Sequence, residues 1–319
     1  MITMGKTNKN QWSKGYHMNA LIEQRKFMWH PDTIQMFAKW LSFKHGQTVV
    51  DVGCGLGYLG MIYWPYFGRS GQYNGIDISP ELVKQATKKS KHWATGGKAV
   101  FKTGDAYKLP LPDNFADVVM CQTLMMHLKE PQKALAEMFR VTKPGGIVFC
   151  QEPDGLSRNL IYGYNSLPER TISRVLFDHK IQLLVAKGRA KLGLGDANIG
   201  PKLPAMMSGI GLNQIDARNT DKIYMFQPPY ETPFQEYLFK FDRDSINTSD
   251  WDKRHRITMK EYKKYLLAAG GTIKDYDRFG KIHSKDSTTY KHLKQQLNNG
   301  TYAEFSPSLF FVIKGTKPR

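Results

Sequence analysis

The sequence contains no apolar run approaching the roughly 18 residues that a membrane span needs. Its first stretch, MITMGKTNKNQWSKGYHMN, lacks the apolar core of a secretory leader. Both absences set the expectation of a chain with no membrane span and a cytoplasmic home. Cysteine is scarce: Cys54, Cys121 and Cys150 are odd in number and fall at expected strand ends or in a glycine loop. That excludes a disulfide framework and suits a reducing compartment. Acidic residues are few, 28 against 46 lysines and arginines, which leaves a formal net charge of +18. The excess favours anionic surroundings or an anionic substrate. It is spread along the chain without an RGG tract or a long basic run, so its simplest reading is a solvated surface. No repeat or low-complexity segment stands out. What remains, 319 residues with 41% hydrophobic and 23% charged content, is an ordinary globular composition with enough core to need no staples.

The pattern along the chain is more specific. Residues 1–45 read as helical pieces, with Pro31 suited to a helix start. Then short apolar runs alternate with amphipathic segments. QTVVDVG, GQYNGIDIS, AVFKTGDA, ADVVMCQT and IVFCQEPD read as strands; LGMIYWPYF (cut at Pro65), PELVKQATKKSKHWA and EPQKALAEMFRVT read as helices. This alternation implies a parallel sheet covered on both faces. The second half is less regular. PERTISRVLFDHKIQLLVAKGRAKLG, PKLPAMMSGIG and TMKEYKKYLLAAGG read as helices, QPPYETPFQEYL as a segment broken by its prolines, and LNQIDARNT and SPSLFFVIKGTKP as two late strands.

The stretch VVDVGCGLGYLG carries the first chemical signal. Gly55, Gly57 and Gly60 spell the G-x-G-x-x-G of dinucleotide sites, but Asp51 stands two residues before Gly53, making D-x-G-x-G-x-G. A dinucleotide loop brings a phosphate to the following helix N-terminus, where a carboxylate at the strand end would repel it. The acid suits a ligand with a cationic amino-acid end and no phosphate. S-adenosylmethionine (SAM) has an ammonium and a sulfonium.

On VVDVGCGLG, GIDIS, KTGDAYKLPLPDNFADVV and ALAEMFRVTKPGGIVF, in this order, the chain resembles the class I SAM-dependent methyltransferases, specifically the group related to the ubiquinone/menaquinone-biosynthesis enzymes. The resemblance implies an α/β fold: a Rossmann-like, mostly parallel seven-stranded sheet with helices on both faces, plus a largely helical insertion. It divides the chain into an N-terminal helical lid (1–45), a SAM-binding core (46–154), a substrate-covering segment with late core elements (155–305) and a closing strand (306–319). It implies that SAM is bound and S-adenosylhomocysteine released. Asp51 would lie near the methionine end, with Gly53, Cys54, Gly55 and Gly57 forming the loop beneath the methionine and ribose. Asp77 would accept from both ribose hydroxyls, Ile78 pack on adenine, Asp105 accept from its amino group beside the Ala106 backbone, and Gln122 line the methionine pocket. Trp12, Tyr16 and Arg25 would belong to the lid and substrate side.

Methyl transfer from a sulfonium is an in-line displacement that needs positioning and exclusion of water more than a strong base. Its signature is correspondingly quiet. His127, after the fourth expected strand, is the candidate general base; Glu152 and Asp154, after the fifth, are candidates for substrate or proton handling. Asp117 and Arg140 read as structural. Gln122 stands where a metal-dependent relative would need a carboxylate, so no metal is expected. The aromatic and methionine content of the second half suits a small-molecule acceptor, anionic or aromatic, handled by a monomer or homodimer. The competing readings are a methyltransferase of RNA or protein, a SAM-binding protein without catalysis, and a nicotinamide oxidoreductase.

Overall fold

A computed structural model describes residues 29–156, 164–220, 223–307 and 310–319. In chain order the elements are α1 (Pro31–Trp40), β1 (Thr48–Val52), α2 (Tyr58–Phe67), β2 (Gln72–Asp77), α3 (Pro80–Ser90), β3 (Lys98–Thr103), β4 (Ala116–Gln122), α4 (Pro131–Val141) and β5 (Thr142–Pro153). There follow β6 (Tyr164–Asn165), α5 (Ile172–Lys191), α6 (Leu203–Gly209), β7 (Asn213–Asn219), β8 (Ile223–Phe226), α7 (Pro233–Ile246), α8 (Ser249–Ala268), α9 (Ile273–Ile282), α10 (Thr288–Asn299), β9 (Glu304–Pro307) and β10 (Phe310–Thr316). Two compact units result; the first comprises, of the described residues, 29–154, 197–220 and 310–319.

That unit holds a seven-stranded sheet in the order β3-β2-β1-β4-β5-β10-β7. The first five strands pair in parallel, and β10 runs antiparallel to both its neighbours. All seven strands are those expected from the apolar runs. The central ones are buried on both faces, which is why TVVDV and ADVVMCQ read as continuous apolar runs rather than alternating ones. The order reverses between β1 and β4, the switch point at which open α/β sheets bind ligands beyond the strand carboxyl ends.

The described end of the 1–45 segment is core. Phe37 and Leu41 are fully buried, Phe37 packs edge-on to Trp29, and both join the cluster under β1 and β4. Trp40 donates its indole N–H to Asp216 of β7, while Lys314 of β10 donates to the Trp40 carbonyl, tying α1 to the late edge of the sheet. Helix α2 continues through Pro65 to Phe67 rather than stopping there. Pro65 lies in its last turn, where it forgoes the regular bond to the Met61 carbonyl, and the burial of Trp64 and Phe67 in the core offsets that loss. Asp117 accepts from the Thr48 amide and Lys143, and Arg140 binds Glu137, Asp113 and two loop carbonyls. Both are structural ties, as their sequence positions suggested.

The second unit comprises, of the described residues, 155–156, 164–196 and 223–307. It contains a three-stranded sheet in the order β6-β9-β8, absent from the sequence reading, and helices α5 and α7 to α10. The proline-broken QPPYETPFQEYL starts α7: Thr232 caps it in a capping box with Gln235, and Pro233 occupies the first turn, where its missing N–H costs nothing. Helices α5 and α8 meet at Gly188, where an added Cβ would lie 1.7 Å from the Tyr265 carbonyl oxygen. The clash is with backbone, so Gly188→Ala must push the two helices apart. It is expected to destabilise this unit by about 3 kcal/mol, seen as a lowered denaturation midpoint and faster amide exchange in α5 and α8.

Candidate active site

The loop after β1 turns three times through left-handed backbone, at Gly53 (φ 70°), Gly55 (φ 53°) and Gly57 (φ 76°). The Gly53 and Cys54 amides donate to the Ile76 carbonyl, stitching the loop to β2. A Cβ on Gly53 would meet Leu124 at 2.8 Å and one on Gly57 would meet Phe101 at 2.9 Å, whereas one on Gly55 would meet nothing within 4 Å. The loop is therefore packed from behind and open at its middle, the shape of a cradle whose backbone a ligand can approach.

Asp77 closes the end of β2 beside this cradle. Its Oδ2 accepts from the Gly55 amide at 2.9 Å and its Oδ1 from the Ser79 amide at 2.9 Å. Each oxygen thus has one backbone anchor and retains acceptor capacity. Burial raises the Asp77 pKa, and the two amide bonds oppose that rise. Ile78, next in line, is 45% exposed, an apolar surface standing at the site's edge. Asp105 is exposed, at the start of the loop following β3; its Oδ1 accepts from the Tyr107 amide, shaping the turn that carries Ala106.

Asp51 is almost fully buried, and Tyr73 donates its hydroxyl to Asp51 Oδ2 at 2.7 Å. The β1–β4 register places Asp51 opposite Met120, on the face that Gln122 shares two residues later. Gln122 Nε2 donates to Gln151 Oε1 at 3.2 Å, so the ends of β4 and β5 present a pair of buried amides on this face. Gln151 Nε2 is buried without a hydrogen-bond partner among the described residues. Cys54 is buried in the loop, and burial, reinforced by Asp51 and Asp77, pushes its thiol well above its ordinary pKa. A protonated thiol is a packing group rather than a nucleophile.

Glu152, expected as a candidate for substrate or proton handling, lies at the end of β5. It is fully buried, and its carboxylate accepts the amides of Leu124 (2.7 Å), Met125 (2.8 Å) and Met126 (3.2 Å). These are the amides at the start of the 3-10 turn Met125–His127, a site that attracts negative charge. Glu152 therefore positions the turn after β4. That turn starts after Thr123, which has φ 51°, and carries the Leu124 side chain behind Gly53 and His127 at its end. His127 is half-buried. Trp12, Tyr16 and Arg25 lie outside the described residues.

The structure brings Asp51, the three loop glycines, Cys54, Asp77, Ile78 and Gln122 to the carboxyl ends of β1, β2 and β4, with Asp105 after β3. Sequence reasoning missed Tyr73, Gln151 and Phe101. Their only signal is register: Tyr73 and Phe101 sit on strands flanking β1, at distances along the chain that no motif spans. No group of histidine, cysteine, aspartate or glutamate among the described residues could hold a metal ion.

With this geometry established, comparison with known proteins is informative. Residues 50–150 match the family model described as a methyltransferase domain. An uncharacterized methyltransferase of Schizosaccharomyces pombe is 39% identical over 119 residues, covering 36% of this chain and 42% of that protein. The demethylmenaquinone methyltransferase of Geobacillus kaustophilus is 29% identical over 151 residues (47% and 61%), and that of Oceanobacillus iheyensis 31% over 157 (49% and 63%). The chain thus spans about 40 to 60% of the length of these curated relatives. Among solved structures, a candidate methyltransferase from Bacillus halodurans superposes with TM-score 0.51 at 17% identity, over 90% of this chain and 100% of that one. A Haemonchus contortus phosphoethanolamine N-methyltransferase bound to phosphomonomethylethanolamine and S-adenosylhomocysteine gives 0.50 at 15% identity, over 98% and 61%. At these identities the likeness is one of fold: the mostly parallel seven-stranded sheet.

Two outcomes test this description of the site. Glu152→Gln places an amide NH2 among three backbone donors and is expected to cost about 2–3 kcal/mol of stability, measured by denaturant unfolding. The three thiols, all buried, are expected to resist a disulfide reagent in the native chain and to react together in denaturant.

Proposed function

We propose that this chain, which carries a methyltransferase domain at residues 50–150, transfers a methyl group from SAM to a small-molecule acceptor and releases S-adenosylhomocysteine. The observation that carries the reading is Asp77: a half-anchored carboxylate at the end of β2, beside a glycine loop with room in front of Gly55. Two oxygens, each with spare acceptor capacity, match a ribose diol. The carboxylate at the end of β1, Asp51, disfavours a pyrophosphate and so argues against a nicotinamide dinucleotide, whereas an acid at the end of β2 suits the ribose of either ligand.

In this reading Gly53, Cys54, Gly55 and Gly57 offer their backbone along the ligand, Ile78 packs on its base, and Asp105 with the Ala106 backbone recognises the base edge. Asp51, held by Tyr73, and Gln122, held by Gln151, form the polar end that takes the amino-acid tail; the unpaired Gln151 Nε2 favours a polar group there. SAM supplies a methyl group on a positively charged sulfur, a leaving group that needs no activation. The chain's part is to orient and to exclude water. Glu152 holds the turn that bears His127, and His127 is the residue placed to accept a proton from an acceptor that loses one. Several curated relatives are demethylmenaquinone methyltransferases, which supports an aromatic small molecule over RNA or protein as the acceptor.

Incubating the purified chain with methyl-labelled SAM and separated cell fractions tests the reading: label is expected in the small-molecule fraction, and label in RNA or protein contradicts it. Asp77→Asn is expected to weaken SAM affinity about 10- to 100-fold. The ribose hydroxyls donate to the ionised carboxylate. Affinity is therefore full above the Asp77 pKa and falls as pH drops through it. Because burial raises that pKa, the loss is expected to begin above the ordinary carboxylate range near ~4, and to be absent in Asp77→Asn. Titration calorimetry across pH reads both.

A further inference from the structure

The outward face of α8 is a feature that methyl transfer does not use. Its inward side packs by Met259, Tyr265 and Leu266, all buried. Its exposed positions are Lys253, Arg256, Ile257, Lys260, Lys263, Lys264 and Leu267. At about 100° per residue they fall within an arc of about 120°: five cations and two aliphatic side chains. The described carboxylates of the helix lie just outside this arc, Asp252 about 20° and Glu261 about 40° beyond its edges, and both are engaged. Asp252 pairs with Lys285 at 2.5 Å and Glu261 accepts from the Tyr265 hydroxyl. Among the described residues none of the five cations has a carboxylate within ion-pair distance; Lys263 and Lys264 instead lie over the rings of Tyr276 and Tyr265.

We propose that this face docks on an anionic lipid surface. Uniform positive charge attracts any polyanion, so the aliphatic residues decide the occupant. Ile257 is 51% exposed and Leu267 40% exposed, each inside the cationic arc. Both gain by entering the boundary between headgroups and acyl chains. Against a nucleic-acid backbone they gain nothing, and the arc has no aromatic side chain on which a base could stack. The contact is peripheral, since no helix among the described residues is long and apolar enough to cross a membrane. The attraction acts within a Debye length, about 8 Å at physiological salt, so the arc must face the bilayer directly.

Co-sedimentation of the full chain with phosphatidylcholine vesicles, with and without phosphatidylserine, tests the proposal. Binding is expected at least about tenfold stronger on the serine-containing vesicles, and weaker as salt rises. The combined variant Arg256→Ala, Lys260→Ala, Lys264→Ala is expected to lose about 100-fold. Ile257→Ser with Leu267→Ser is expected to lose about tenfold while keeping the salt dependence. All these positions are exposed, and an unchanged melting temperature and S-adenosylhomocysteine affinity show that each variant is folded. Equal binding to both vesicle types, no effect of the triple variant, or no effect of the aliphatic pair overturns the proposal. So does capture of the chain on RNA but not on vesicles, which would assign the face to a nucleic acid.

Discussion

The bridge that Asp77 makes between the Gly55 and Ser79 amides is the contact around which the site is organised. One oxygen fixes the glycine loop after β1. The other fixes the entry to α3, whose N-cap is Ser79. A buried carboxylate is costly unless hydrogen-bonded, and two backbone donors reduce that cost without consuming both oxygens. The same group thus supports the loop and remains chemically available. Lysine or arginine in this position of the fold would leave both amides without an acceptor and the loop without its anchor.

Two further buried carboxylates follow the same rule with different outcomes. Asp51 is held by one tyrosine hydroxyl at the switch point, where charge can act on a ligand. Glu152 is engaged by three amides and works through the turn it shapes. Because that turn places Leu124 behind Gly53 and His127 beyond it, a change at Glu152 reaches the loop of β1 through the backbone.

The sheet was legible because its strands are short apolar runs punctuated by glycine and proline, and all seven strands followed. The loop glycines and the strand-end acids were legible for the same reason: the chemistry lies within a few consecutive residues. Tyr73, Gln151 and the acceptor role of Glu152 were not, since each depends on strand register across 22 to 29 residues of separation. The prolines misled at both Pro65 and Pro233: Pro233 sits in a first turn that tolerates it, and at Pro65 the burial of Trp64 and Phe67 carries the helix on. The three-stranded sheet of the second unit escaped because β6 is two residues long and β8 and β9 four each. Such strands carry no readable period.

The central claim is that the carboxylate at the end of β1 chooses a ligand with a cationic amino-acid tail over a pyrophosphate-bearing one. Parallel calorimetric titrations of the purified chain with S-adenosylhomocysteine and with NADH measure that choice directly. Saturable binding of S-adenosylhomocysteine at one site per chain, with no heat from NADH, is the result the account requires. Saturable binding of NADH, with S-adenosylhomocysteine silent, would contradict it.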